Sequence, residues 1–187
     1  MGVRCFIAVA LEEALKKNIA NSIEDLKRVN ADIKWVPPEN LHITLKFIGH
    51  TPEDLIQKMK YRLAEISASF RPFSLGLSGV GLFPDARRPR VIWIDIHDFE
   101  GLRKLKESVE ENIITLDVNR EDRAFSPHLT IGRVRSPRGV NTLLTALEPL
   151  KERNFGIIEV RSFSLMKSEL KPKGAEYTAI AEFKLAS

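Results

Sequence analysis

An α+β fold built from one duplicated unit is what this 187-residue sequence predicts. Three observations carry that prediction. Short runs of alternating apolar and polar residues read as strands, and between them lie longer runs with apolar residues every three or four positions, which read as helices. The order strand–helix–strand–helix–strand is written twice. One pattern, His42-Ile43-Thr44-Leu45, returns as His128-Leu129-Thr130-Ile131, a separation of 128 − 42 = 86 residues.

Taken in order, residues 4–9 are apolar and β-forming and predict a strand. Residues 12–30 predict an amphipathic helix, with Leu15, Ile19, Ile23 and Leu26 on one stripe. A short strand over 33–36 is halted by Pro37-Pro38, and residues 39–40 turn the chain into the first His-x-Thr strand at 41–47. Strict alternation there places His42, Thr44 and Lys46 on one face and Leu41, Ile43, Leu45 and Phe47 on the other. After a turn at 49–52, a helix runs to about residue 69 with Leu55, Met59, Leu63 and Ile66 inward; a strand follows at 73–80, then a loop at 79–89. The second copy opens with a strand at 90–95, 86 residues after the first opening strand. A helix over 99–115 presents Leu102, Leu105, Val109 and Ile113, and the second His-x-Thr strand spans 127–132. A turn at 136–139, a helix over 140–153, extended segments at 157–160 and 162–166, a turn at 171–174 and a strand at 177–183 complete the chain.

The repeats are therefore about 4–89 and 90–183. Units of that size are small to stand alone, so the expectation is one bilobal domain over 1–187. Each lobe is expected to be an antiparallel sheet with helices outside, and a pseudo-two-fold brings the two motif strands face to face across a central cleft.

Composition narrows the classes of function. Hydrophobic residues are 43% of the chain, enough for a sizeable core, but no apolar run approaches the ~18–20 residues that span a bilayer. The lone Cys5 excludes an internal disulfide and a multi-cysteine metal site and agrees with a reducing, cytoplasmic setting. A net charge of +4 suits a polyanionic partner.

On each motif strand the histidine and threonine point the same way, about 7 Å apart. Two imidazoles bordering one cleft suit an in-line displacement. One takes a proton from water or a hydroxyl and the other gives a proton to the leaving alkoxide, both near the free pKa of about 6.5. A threonine beside each can hold a non-bridging oxygen, so a phosphodiester fits the set. No cysteine or carboxylate shares the motif faces, which disfavours zinc with its three protein ligands, and no cofactor is expected. Arg133 is placed to reach a phosphate, but strict alternation puts it on the back face unless a bulge turns it inward. Lys46, Arg87 and Arg88 are further candidate cations for an RNA backbone, and Trp35, Phe83, Trp93 and Tyr177 are candidate stacking surfaces. His50 and His97 have no such company and are expected at the surface.

The doubled motif resembles the signature of the two-histidine (2H) phosphoesterases, and within them the RNA 2′,3′-cyclic phosphodiesterases, formerly called 2′-5′ RNA ligases. Supporting likeness extends over residues 4–8, Gly81-Leu82-Phe83-Pro84, Pro89-Arg90-Val91-Ile92-Trp93, Leu165-Met166-Lys167-Ser168 and Tyr177. The resemblance implies metal-independent opening of a terminal 2′,3′-cyclic phosphate to a 2′-phosphate; the expected partner is RNA with such ends, tRNA halves included, and the expected state is a monomer. It implies that His42 donates a proton to the departing 3′ oxygen, that His128 activates water, and that Thr44, Thr130 and Arg133 hold the phosphate. Pseudo-symmetry leaves the acid and base labels interchangeable. It also implies a reverse, 2′-5′ joining reaction in bacterial relatives. Two other readings stay open beside it: a non-catalytic binder of RNA ends, and a phosphoesterase of the same superfamily with a different nucleotide substrate.

Overall fold

The structure, a computed structural model, describes residues 2–121, 124–172 and 174–186. Its elements are β1 (Gly2–Ala10), α1 (Glu13–Lys27), β2 (Ile33–Trp35), β3 (His42–Pro52), α2 (Glu53–Ser69), β4 (Phe73–Phe83), β5 (Val91–His97), α3 (Glu100–Ile114), β6 (His128–Val134), α4 (Val140–Leu147), β7 (Asn154–Val160), β8 (Ser162–Lys171) and β9 (Gly174–Lys184). A 3₁₀ turn, Pro38–Asn40, leads into β3. The α+β class is thus as expected, and both halves run strand–helix–strand–helix–strand, with β2 added in the first and two further strands in the second. Two boundaries move for local reasons. The helix expected to reach residue 153 stops at Leu147, because Pro149 cannot donate to the helical ladder and the chain tightens into the 3₁₀ turn Glu148–Leu150. The loop expected from residue 79 begins after Phe83, because Gly81, Leu82 and Phe83 pair with Trp93, Ile92 and Val91.

The described strands form one antiparallel sheet in the order β7-β4-β5-β6-β3-β1-β8-β9, with β2 beside β6. The repeats do not each keep their own strands. β4, from the first repeat, pairs with β5 of the second, and β8, from the second, pairs with β1 of the first. The halves are therefore interlocked, with β7 and β9 at matching outer edges. At the centre, β3 and β6 are joined at Ile43 and Leu129. The motif strands are thus neighbours in one sheet rather than opposite walls.

The sheet must curl. β9 lies three places from β3 in the sheet, yet the ring of Tyr177 on β9 stands 5.2 Å from the ring of His42. One face carries the motif side chains on its concave side. The other buries Ile43, Leu45, Leu129 and Ile131 in one hydrophobic cluster with the stripes of all four helices. Of the twelve helical stripe residues expected inside, Leu15 and Leu55 are only half-buried and the other ten are in the core. Burial of this kind stabilises by about 1.5–3 kcal/mol per large aliphatic side chain. No helix among the described residues is long and apolar enough to cross a membrane.

Candidate active site

A β-bulge in each motif strand builds the site. Opposite β1, the register passes from Ala8↔Thr44 to Ile7↔Lys46, leaving Leu45 as the extra residue. Opposite β5 it passes from Trp93↔Thr130 to Ile92↔Gly132, leaving Ile131 extra. The bulges are related by the repeat, 131 − 45 = 86. An extra residue reverses the facing of the residues that follow it, in β3 as far as a second shift opposite β1 that leaves Ile48 extra.

Three placements follow from that reversal. Arg133, on the back face by strict alternation, is turned to the cleft and exposed. Phe47, expected inside, stands 67% exposed with its ring 6.2 Å from that of Phe6, on the cleft side. Lys46, expected on the cleft face with His42 and Thr44, is instead 1% exposed on the opposite side. There its ammonium donates to Glu110 Oε1 at 2.5 Å and to the carbonyl of Asn119 at 2.9 Å. Glu110 also pairs with Lys106 and accepts from the backbone N–H of Glu121. Lys46 therefore ties α3 and the segment before β6 to the back of β3, and adds nothing to the cleft. Gly132 inside the strand was the sequence signal for a bulge.

The histidines are held alike. The Nδ1–H of His42 donates to the carbonyl of Asn40 at 2.7 Å, and that of His128 to the carbonyl of Ser126 at 2.8 Å. A carbonyl only accepts, so Nδ1 carries the proton and each neutral ring keeps a bare Nε2. Antiparallel register about Ile43↔Leu129 places His42 beside Thr130 and Thr44 beside His128. The two histidines are then roughly 7 Å apart along the strands and about 5 Å across them, room for one phosphate between their rings.

Each imidazole has an aromatic collar. His42 lies 4.9 Å from Phe6 and 5.2 Å, edge-on, from Tyr177, and those two rings touch each other at 5.0 Å. His128 lies 5.3 Å from Phe83 and 6.3 Å from Trp93, themselves stacked at 5.0 Å. Gly81 lies flat under Trp93, where a β-carbon would overlap the indole. Burial pushes the pKa of His42 below 6.5, with Arg133 lowering it further and the hydrogen bond to Asn40 opposing both.

Of the other candidates, Phe83, Trp93 and Tyr177 are brought to the site as these collars. Trp35 is not; it packs over Gly132 on β2. Arg87 and Arg88 are exposed in the loop after β4, their backbone N–H groups donating to Asp85. His50 and His97 are exposed, and His97 contacts the carbonyl of Ser78. Among the described residues no three His, Cys, Asp or Glu side chains gather as metal ligands. Sequence reading missed Phe6, Asn40 and Phe47. Phe6 reaches His42 from the neighbouring strand β1, Asn40 does so through a local turn, and Phe47 needed the bulge.

Known proteins resemble this chain over nearly its whole length. The family model described as LigT like Phosphoesterase matches residues 9–93 and again 96–177. An RNA 2′,3′-cyclic phosphodiesterase of Methanothermobacter thermautotrophicus is 35% identical over 185 residues, covering 99% of this chain and all of that one. One from Archaeoglobus fulgidus is 36% identical over 181 residues, covering 97% and 99%. A solved structure from Thermus thermophilus superposes with a TM-score of 0.80 at 31% identity over 97% of both chains. That of E. coli LigT with 3′-AMP superposes at 0.82 over both full lengths, and at 22% identity it speaks to the fold. With the family pattern matched in both halves and relatives above 30% identity over nearly the whole length, the chain belongs to the LigT like phosphoesterases.

Proposed function

We propose that this protein hydrolyses the 2′,3′-cyclic phosphate at an RNA end to a 2′-phosphomonoester, without a metal ion. The observation that carries the reading is the matched pair of imidazoles. Each is fixed through Nδ1 to the carbonyl two residues before it, keeps Nε2 for a ligand, and has a threonine at hand from its own strand and from its neighbour. The curated names of the relatives above support the substrate class.

In this reading the phosphate sits between the rings. His128, neutral, takes a proton from water on Nε2 as the water oxygen bonds to phosphorus, and His42, entering as the imidazolium with Nδ1–H still on the Asn40 carbonyl, gives its Nε2 proton to O3′ as the P–O3′ bond breaks, leaving the phosphate on O2′. Thr44, Thr130 and Arg133 hold the non-bridging oxygens, where negative charge grows. The repeats, about 4–89 and 90–183, act as one bilobal domain because each supplies half of the acid–base pair. RNA with cyclic-phosphate ends, tRNA halves among them, is the partner, and rejoining through a 2′-5′ linkage is the same displacement with a 5′-hydroxyl in place of water.

The test is incubation with cyclic-phosphate-ended RNA in excess chelator, followed by identification of the end. A 2′-phosphate is expected. Binding without turnover, weakening steeply with salt, would instead mark a non-catalytic RNA-end binder. Faster turnover of a nucleoside 2′,3′-cyclic phosphate or a 2′-5′ oligonucleotide would move the substrate within the class.

Phe47 offers a base of that RNA a flat, solvent-facing ring on the cleft side. Stacking is worth about 1–3 kcal/mol per base, so Phe47→Ala is expected to raise KM by roughly 5- to 150-fold with kcat changed less. Because the ring is exposed, the melting temperature should hardly move. An unchanged KM would remove Phe47 from the substrate path.

A further inference from the structure

We infer that Asn40 is a positioning residue, whose carboxamide latches the β8–β9 hairpin, and with it the ring of Tyr177, over His42. Asn40 makes two kinds of contact at once. Its backbone carbonyl accepts the Nδ1–H of His42 at 2.7 Å, and its side-chain Nδ2–H donates to the carbonyl of Ala175, 135 residues away, at 2.8 Å. Ala175 is the second residue of β9, two before Tyr177. The first bond orients the imidazole, and the second holds the strand that covers it.

The hairpin needs such a latch. β9 is at the sheet edge and, among the described residues, pairs with β8 alone. Near its tip, Leu170 is 78% exposed, and the aromatic contact nearest that end is that of Tyr177 with Phe6. A free edge hairpin frays at low cost. The bond from Asn40 crosses the concave side of the sheet and ties that end to the turn entering the motif strand.

The repeat shows what is special here. The residue at the matching place in the second half is Ser126, 126 − 40 = 86, and its carbonyl does the same for His128. A serine side chain is too short to span as a carboxamide does. Asn40 thus adds a contact specific to the His42 half, and breaks the near-symmetry of the site.

The groups facing His42 follow from the elements around it. β1 presents the apolar ring of Phe6, β9 presents Tyr177, and β6 presents the charged Arg133. Burial is the largest influence on the His42 proton, and it lowers the pKa. Releasing the hairpin lets water reach the ring, so its proton affinity rises toward that of a free imidazole. His128, with its own collar, is unaffected.

The inference rests on His42 belonging to the proposed site, but its test does not need turnover. The imidazole CεH resonances of both histidines are titrated by NMR in the wild type, Asn40→Leu, Tyr177→Ala and the double variant. Asn40→Leu keeps the size of the side chain and the backbone carbonyl but cannot donate. The expected result is an upward move of the His42 midpoint in Asn40→Leu with His128 unmoved. A similar move is expected in Tyr177→Ala, and little further change in the double variant, because both act through one hairpin. In the activity assay Asn40→Leu should lower kcat by roughly 10- to 100-fold with KM changed less, as for a misplaced catalytic group. Asn40→Gln, which retains a donor, should recover part of both effects. An unmoved His42 midpoint in folded Asn40→Leu would overturn the inference, as would equal moves at both histidines or full additivity in the double variant. If Asn40→Leu is not folded, Asn40→Ala and Tyr177→Ala carry the same comparison. An inactive wild type with a moved His42 midpoint would count against the proposed reaction and leave the latch standing.

Discussion

Replacing either motif histidine by alanine is expected to lower kcat on cyclic-phosphate-ended RNA by roughly 10²- to 10⁴-fold, the usual worth of a general acid or base. Both losses should be large because the pair works as a unit. Without the base the water is a poor nucleophile, and without the acid the alkoxide leaves unprotonated. The double variant should therefore lose much less than the product of the two single losses. Circular dichroism should stay that of the wild type, since both rings stand on the cleft face and only half-buried. Substantial activity in the double variant would end the proposed mechanism. The pH profile of kcat/KM should be bell-shaped, with one limb, that of His42, below 6.5 because burial and Arg133 both disfavour its charged form. Arg133→Ala removes one of those two influences. The sign is then upward: the His42 limb should move toward 6.5, while phosphate binding weakens and KM rises. A limb that stays in place in Arg133→Ala would show that the guanidinium does not face His42.

The largest stability effect is expected on the other side of the same strand. Glu110→Ala should destabilise the protein by about 3–5 kcal/mol, the range for removing one partner of a buried ion pair. The substitution leaves the ammonium of Lys46, 1% exposed, with the Asn119 carbonyl alone among the described residues, and deprives Lys106 and the Glu121 N–H of their shared acceptor. Lys46→Met should cost much less. It removes a charge that was expensive to bury, and Glu110 keeps Lys106. Urea unfolding tests this through a lower midpoint at an unchanged slope. Equal effects of the two substitutions would mean that the group is not an ion pair in solution. Acid should find the same place. Burial pushes the Glu110 pKa up, but the ammonium groups of Lys106 and Lys46 outweigh it and hold the carboxyl down to about 2, below its usual 4.5. A carboxylate lowered on folding contributes its stability in full above about 4.5 and loses it as pH falls toward about 2. Glu110→Ala should accordingly cost less at pH 3 than at pH 7.

Because Lys46 serves this network and Phe47 faces the cleft, β3 explains what could be read from the chain and what could not. Alternation and the 86-residue repeat located His42, Thr44, His128 and Thr130, since strand side chains take opposite faces by local geometry alone. The helical stripes were legible for the same reason: a period of 3.6 is a property of the backbone. Both kinds of signal are local, and local signals survive in a sequence.

Beyond Leu45 and Ile131 the local rule fails. A bulge depends on how the partner strand is paired, and the sequence of β3 alone does not state its register with β1. One extra residue sent Lys46 inward to Glu110 and turned Phe47 outward; its counterpart in β6 did the same for Arg133. Nor did the chain declare that β4 and β8 exchange between halves, because strand pairing is decided by which edges meet once the sheet has formed.

What the sequence by itself determined was the make-up of the candidate site: two histidines and two threonines, duplicated at one spacing on strands whose facing follows from alternation. Only the tertiary structure decided the company they keep. Tyr177 reaches His42, and Asn40 reaches Ala175, because the sheet curls until distant strands meet over its concave face. Curl is the sum of small twists and bulges over many strands, so no short stretch of sequence contains it.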